Sequence, residues 1–248
     1  MTHPPAQVQQ AVQLRARGLT ARAIGDRLKI PRGTVSDWIN GRIPRARVPG
    51  DRTCDSCGGS RHRSEELPET YVYLLGVYLG DGCISTHPRG VYRLPLTLDA
   101  AYPRIVDEAA RAIRTVMPSS RVGKILRPGC VEVSSYSKGW PCLFPQHGPG
   151  KKHLRPIRLT AWQKRLVGRH PHLLLRGLLH SDGYRFLNTG RAWSHPRYAF
   201  SNLSPDIRLI FIQACELVGL RWTISGRTVY VSRKADVAIL DGFVGPKA

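Results

Sequence analysis

Two nine-residue segments hold the residues whose types and spacing could do chemistry: Leu74-Leu75-Gly76-Val77-Tyr78-Leu79-Gly80-Asp81-Gly82 and Leu175-Arg176-Gly177-Leu178-Leu179-His180-Ser181-Asp182-Gly183. Each has glycine at its third place, a small residue at its seventh, then Asp-Gly. Gly76 with Gly80, and Gly177 with Ser181, are four apart and share one helix face, so two such helices could pack with their backbones close. Gly82 and Gly183 read as the left-handed residues that end a helix. Asp81 and Asp182 then each place a carboxylate where the helix macrodipole is already negative. Bringing two such ends together adds like-charge repulsion. A divalent cation such as Mg2+, held by one or two carboxylates and otherwise by water and phosphate, would relieve it.

The elements that must position these aspartates also come in duplicate. After the first segment, Val91 to Leu98 alternates, with Tyr92, Leu94, Leu96 and Leu98 on one face. A helix follows on Ile105, Ala109, Ile113 and Val116, then a hairpin at Arg127-Pro128-Gly129. After the second segment, Arg197 to Asn202 reads as a strand, Ile207, Phe211, Ala214 and Leu217 mark a helix, and Ser225-Gly226 turns a hairpin. Both halves read helix, two strands, helix, two strands, helix, which is an α+β pattern. Arg93, Lys124, Arg127, Arg185, Arg191, Arg197, Arg221 and Arg227 lie in or beside these strands. Antiparallel strands entering a major groove would let such side chains meet base edges and phosphates.

Ahead of the duplication, residues 1–46 read as a small all-α module. A first helix over Gln7–Arg17 ends at Gly18, Thr20 stands at an N-cap, and Ile30-Pro31 breaks the second helix. The third runs from Arg32 to Ile39 with Val35, Trp38 and Ile39 inward. Two short helices joined by a tight turn resemble a helix-turn-helix of the small resolvase or sigma-factor type. That resemblance implies that Arg32, Thr34, Ser36 and Arg42 face the major groove or its phosphates. Residues 47–69 read as a Gly-, Arg-, Ser- and Pro-rich linker. Within it Cys54 and Cys57 form a Cys-x-x-Cys with His62 nearby, a set that could begin a Zn2+ site but is one ligand short of four. A metal-free linker with two thiols is the alternative. Cys83, Cys130, Cys142 and Cys215 read as small buried hydrophobes.

Bulk composition points the same way. The chain has 38 Lys+Arg against 17 Asp+Glu, a formal net charge of +21, and a polyanionic partner is the economical explanation. Apolar residues at 42% exclude wholesale disorder. No apolar run is long enough to span a bilayer, and no secretory leader or intein junction is expected. The expectation is a cytoplasmic, nucleoid-associated protein that binds double-stranded DNA, with no membrane partner.

The repeated motif and its matching flanks resemble the LAGLIDADG homing endonucleases in their single-chain form. The resemblance implies two pseudosymmetric αββαββα repeats, residues 70–160 and 161–248, forming a saddle of antiparallel sheets. It further implies that Asp81 and Asp182 hold Mg2+ and orient the attacking water, with the carbonyls of Gly80 and Ser181 as nearby ligands. A lysine near the metal at the end of each half's last strand would be Lys138 and Lys234, polarising water or stabilising the pentavalent phosphate. Two positions depart from the family pattern. His180 stands where a first acid is usual, and Arg176 is bulky for a tight helix contact. The leading expectation is a monomeric, Mg2+-dependent endonuclease cutting double-stranded DNA. A transcription regulator that reuses the fold without cleavage is the alternative, and an RNA maturase is a third.

Overall fold

The computed structural model describes residues 5–41, 67–245 and 247, and the chain divides into two compact units, Met1–Arg52 and Thr53–Ala248. Cys54, Cys57, His62 and Arg42 lie outside the described residues.

The first unit is three helices, α1 (Pro5–Ala16), α2 (Ala21–Leu28) and α3 (Arg32–Ile39). Gly18 takes φ +89° after α1, and the Thr20 hydroxyl caps α2 by accepting from the Ala23 amide at 3.3 Å. The α2–α3 turn is tight because Lys29 is left-handed and the Ile30 amide donates to the Gly25 carbonyl at 2.9 Å. A Cβ on Gly25 would stand 2.7 Å from the Ile30 carbonyl oxygen, so only glycine fits there. Val8, Ala11, Leu14, Ile24, Ile30, Val35 and Trp38 form the core, with Ile39 packed at its edge.

The second unit opens with α4 (Thr70–Asp81), β1 (Ser85–His87), β2 (Val91–Asp99), α5 (Pro103–Val116), β3 (Val122–Arg127), β4 (Cys130–Ser137) and the short α6 (Trp140–Leu143). After α7 (Ala161–Arg169) the order repeats as α8 (Pro171–Asp182), β5 (Gly183–Thr189), β6 (Ser194–Ser201), α9 (Pro205–Val218), β7 (Thr223–Ser225), β8 (Thr228–Val231) and α10 (Lys234–Val244). Each half builds one four-stranded antiparallel sheet, ordered β1-β2-β4-β3 and β5-β6-β8-β7. The result is an α+β fold of two antiparallel sheets and helices, with a helical module ahead of it in the chain. No described helix is long and apolar enough to cross a membrane.

Helices α4 and α8 occupy the middle of the core. Every residue from Tyr71 to Leu79 is buried, which suits a helix apolar all round. Leu94, Leu96 and Leu98 of β2 supply the sheet side of the core, in the register their alternation predicts.

Three expectations need correcting. Leu217 is exposed, and Ile210 and Cys215 join Ile207, Phe211 and Ala214 inside, because the buried stripe of α9 widens to two residues per turn. Of the four cysteines expected inside, only Cys215 is buried, Cys83 is exposed, and Cys130 and Cys142 are half-buried at strand and helix margins. Gly82 and Gly183 are extended (φ −97° and −101°), not left-handed. They are required for another reason: a Cβ would lie 2.7 Å from the Cα of Tyr78 or of Leu179, where the chain turns straight from helix into strand.

Candidate functional site at the packed ends of α4 and α8

The helix contact that builds the site depends on missing side chains. A Cβ on Gly76 would stand 2.6 Å from the Leu174 carbonyl oxygen and 2.9 Å from the Gly177 Cα. A Cβ on Gly177 would run into the Tyr73 carbonyl, and one on Gly80 into the Ser181 side chain. Ser181 Oγ turns back onto its own helix, donating to the carbonyls of Gly177 and Leu178 at 3.1 and 3.0 Å. The two helices therefore meet backbone to backbone and bring their C-terminal aspartates together. Asp182 Oδ2 lies 2.9 Å from where a Gly80 Cβ would be.

The bulky departures fit because they point away from this seam. Arg176 makes a bidentate pair with Glu108 of α5 at 2.7 and 2.8 Å, and donates to the Val244 carbonyl at 2.6 Å and to that of Phe243. His180 is buried between Tyr73 (OH to Nδ1, 3.1 Å) and the Val244 carbonyl (Nε2, 2.9 Å). A carbonyl can only accept, so Nε2 carries the proton and Nδ1 takes the Tyr73 hydroxyl hydrogen. Burial holds the imidazole pKa below its usual value, in keeping with a neutral, structural histidine.

Electrostatics make the seam unusual. Asp81 is pushed up to about 7, first by burial and then by the Asp182 charge beside it. Asp182 is raised by burial, which its hydrogen bond from Asn202 Nδ2 (2.6 Å to Oδ2) partly offsets. Two ammonium groups answer these carboxylates. Lys152 Nζ donates to the carbonyls of Tyr78, Leu79 and Gly80 at 2.7, 2.6 and 2.8 Å, capping the open C-terminus of α4. Lys247 Nζ donates to the Gly183 carbonyl, just past the end of α8. The charges of both lysines pull the Asp81 and Asp182 pKa values down. Burial lowers Lys152 to about 8, against the opposing pull of Asp182 and Asp81, and Lys247 is lowered by burial against the same two acids. Lys152 opens a short 3-10 turn (Lys152–Leu154) after α6, and Lys247 follows α10.

The Gly80 carbonyl accepts from Lys152 and Asp182 Oδ2 from Asn202, so part of the donor set already has partners within the chain. Among the described residues, no group of three or more His, Cys, Asp or Glu side chains could hold a metal ion. Lys138, in the turn after β4, and Lys234, first in α10, are exposed. Lys152, Lys247 and Asn202 escape sequence reading. Nothing in a Gly-Pro-Gly-Lys-Lys loop or a chain end announces a capping ammonium.

The basic residues divide by face. Arg93 and Arg127 share the open face of the first sheet, where both pair with Glu132, and the Arg93 guanidinium lies 5.9 Å above the Tyr136 ring. Lys124 pairs with Asp107 of α5, and Arg185 with Asp241 of α10 at 2.8 and 2.9 Å, so both lean toward helices. Arg197 lies on the open face of the second sheet, donating to Ser232 Oγ at 2.7 Å. Arg191, Arg221 and Arg227 are exposed in turns. In the first unit Arg32 is exposed, and Thr34 and Ser36 are half-buried on α3.

Comparison with known proteins places these features among folds. A family model for a Homeodomain-like domain matches residues 5–41. No curated protein matches. Similar solved structures include the N-terminal LAGLIDADG domain of DUF199/WhiA (12% identity, 73% of this chain and 82% of that one, TM-score 0.45). Mesophilic variants of the homing endonuclease I-DmoI match at 14% identity over 72% and 96%, TM-score 0.47. The homing endonuclease I-WcaI bound to its DNA recognition sequence matches at 13% over 73% and 83%, TM-score 0.48. The Homeodomain-like match falls on the three-helix unit, and each of these structural likenesses covers about seven-tenths of the chain at low identity.

Proposed function

We propose that this protein is a monomeric, nucleoid-associated DNA-binding regulator that uses its LAGLIDADG-like halves, residues 70–160 and 161–248, to grip double-stranded DNA without cutting it. The LAGLIDADG superfamily includes both nucleases and non-catalytic regulators, so the fold alone does not choose. The observation that supports the regulator is Lys152: its ammonium engages three carbonyls at the end of α4, among them Gly80, and its charge favours the ionised form of both aspartates. A tethered cation there takes up part of the role that Mg2+ would have. The excess of basic side chains supplies phosphate affinity, and the helix-turn-helix supplies a second, smaller contact through Arg32, Thr34, Ser36 and Arg42.

A metal-dependent endonuclease is the second reading, favoured by one observation. Both carboxylates, Asp81 and Asp182, stand at the packed helix ends, where Gly80 and Ser181 would add carbonyl ligands and Mg2+ would supply Lewis-acid chemistry. Lys138 and Lys234 belong to that reading, and Zn2+ at Cys54, Cys57 and His62 is compatible with either.

The test is selection from a randomised duplex library in Mg2+, sequencing both the retained duplexes and any new ends. The regulator enriches a bound sequence and leaves no new ends, in the wild type and in Asp81→Asn/Asp182→Asn alike. Cuts made by the wild type and lost in the double variant would overturn the proposal and establish the nuclease.

A further inference from the structure

The open faces of the two sheets differ in kind. Pairing in the second sheet sets Tyr184 opposite Ala199 and Ala199 opposite Tyr230, with Phe186 opposite Arg197 and Asn188 opposite His195. These side chains share the face turned away from the helices, because Tyr198, Phe200, Val229 and Val231 take the core side. Rings therefore run along the β5–β6 hairpin. Tyr184 and Phe186 lie with centroids 5.3 Å apart, and at the tip Trp193 stacks on His195 at 5.7 Å and 15°. Tyr184 is 47% exposed and Trp193 46%. The first sheet carries the Arg93–Glu132–Arg127 ion pairs on the corresponding face.

Reading a duplex groove calls for free donors and acceptors aimed at base edges. Of the guanidiniums near the hairpin, Arg185 is engaged with Asp241 and Arg197 with Ser232 while lying 5.0 Å above the Tyr230 ring, and Arg191 is exposed at the tip, where it can meet phosphate. Phe186 has no polar atom to offer an edge. Beside the polar Asn188 and His195 the hairpin exposes ring faces, and the flat face of a base is available to a ring only when the base has left its stack. The net charge of +21 supplies the attraction for the phosphates that accompany such bases.

We infer that the open face of the β5–β6 hairpin is a stacking site for unpaired DNA bases, with Tyr184, Phe186 and Trp193 as its platforms. The inference rests on the DNA-binding reading and deepens it: the first sheet meets duplex, while the second hairpin holds a locally opened strand. Stacking tolerates any base, so this contact adds affinity for opened DNA and little sequence preference.

Fluorescence anisotropy with the full chain tests it. The probes are a labelled single strand of about 12 nucleotides, the same sequence as a duplex, and that duplex with a short unpaired bubble. Tyr184→Leu/Phe186→Leu keeps apolar bulk and removes both π-faces, and Trp193→Leu repeats the test at an exposed tip that the core does not need. We expect the double variant to bind the single strand and the bubble about tenfold or more weaker, and the duplex within about twofold of wild type. Trp193→Leu should shift the same two probes by a smaller factor. Equal losses on all three probes, or unchanged single-strand affinity in both variants, would overturn the stacking site. A wild type that binds duplex but no single strand overturns it too and leaves the DNA-binding reading standing. No binding to any probe removes both.

Discussion

Replacing Asp81 with asparagine should stabilise the protein, and by an amount that grows with pH. Burial and Asp182 raise the folded-state pKa of Asp81 from an ordinary 3.8 to about 7. Below about pH 4 both the folded and the unfolded chain hold the proton, and the group contributes nothing. Between about 4 and 7 the unfolded chain has released it while the folded one keeps it, so stability falls as pH rises through that window. Above about 7 the whole cost is present, roughly 4 kcal/mol at about 1.4 kcal/mol per pH unit. An asparagine never ionises and escapes this term. Urea unfolding of the wild type and Asp81→Asn at matched ionic strength reads the difference, since titrating groups that do not face Asp81 cancel, while Lys152 and Lys247, whose pKa values Asp81 raises, belong to what is read. The variant's advantage should widen by about 3 kcal/mol between pH 5 and pH 8. That corresponds to a gain of about 6–12 °C in Tm for a unit of this size. A difference that stays constant across that range would refute the reasoning, because it would mean Asp81 ionises as it does in water.

Three further outcomes follow from the same geometry. Gly76→Ala forces apart two backbones, since its Cβ would meet the Leu174 carbonyl at 2.6 Å, and should cost about 3 kcal/mol in urea melts. Lys152→Met removes the ammonium at the end of α4, and Mg2+ at about a hundredfold over its Kd should then stabilise the variant by about 2.7 kcal/mol while leaving the wild type unmoved. An equal Mg2+ shift in the wild type would show that the ammonium does not stand in the cation's place. Trp38→Ala empties the middle of the first unit, where Trp38 is 2% exposed, and should cost about 3–5 kcal/mol there, seen as faster amide hydrogen exchange over residues 21–39.

What the sequence determined by itself was whatever depends on neighbours a few residues away. Period-two alternation set Leu94, Leu96 and Leu98 inward, four-residue spacing marked Gly76, Gly80, Gly177 and Ser181 as the seam, and the repeated Asp-Gly located both carboxylates. Tertiary structure decided what answers them. Lys152 and Lys247 come near the aspartates only because the chain after α6 and after α10 folds back onto the carbonyls at the ends of α4 and α8. Local spacing pointed instead to Lys138 and Lys234, which the structure leaves exposed. The same limit governs Lys124 and Arg185, which strand membership alone would aim at DNA and which acids on α5 and α10 hold instead. A buried charge is stabilised by whichever opposite charge or dipole lies within a few ångströms. In this chain those partners lie tens of residues away, and only the closed fold brings them within reach.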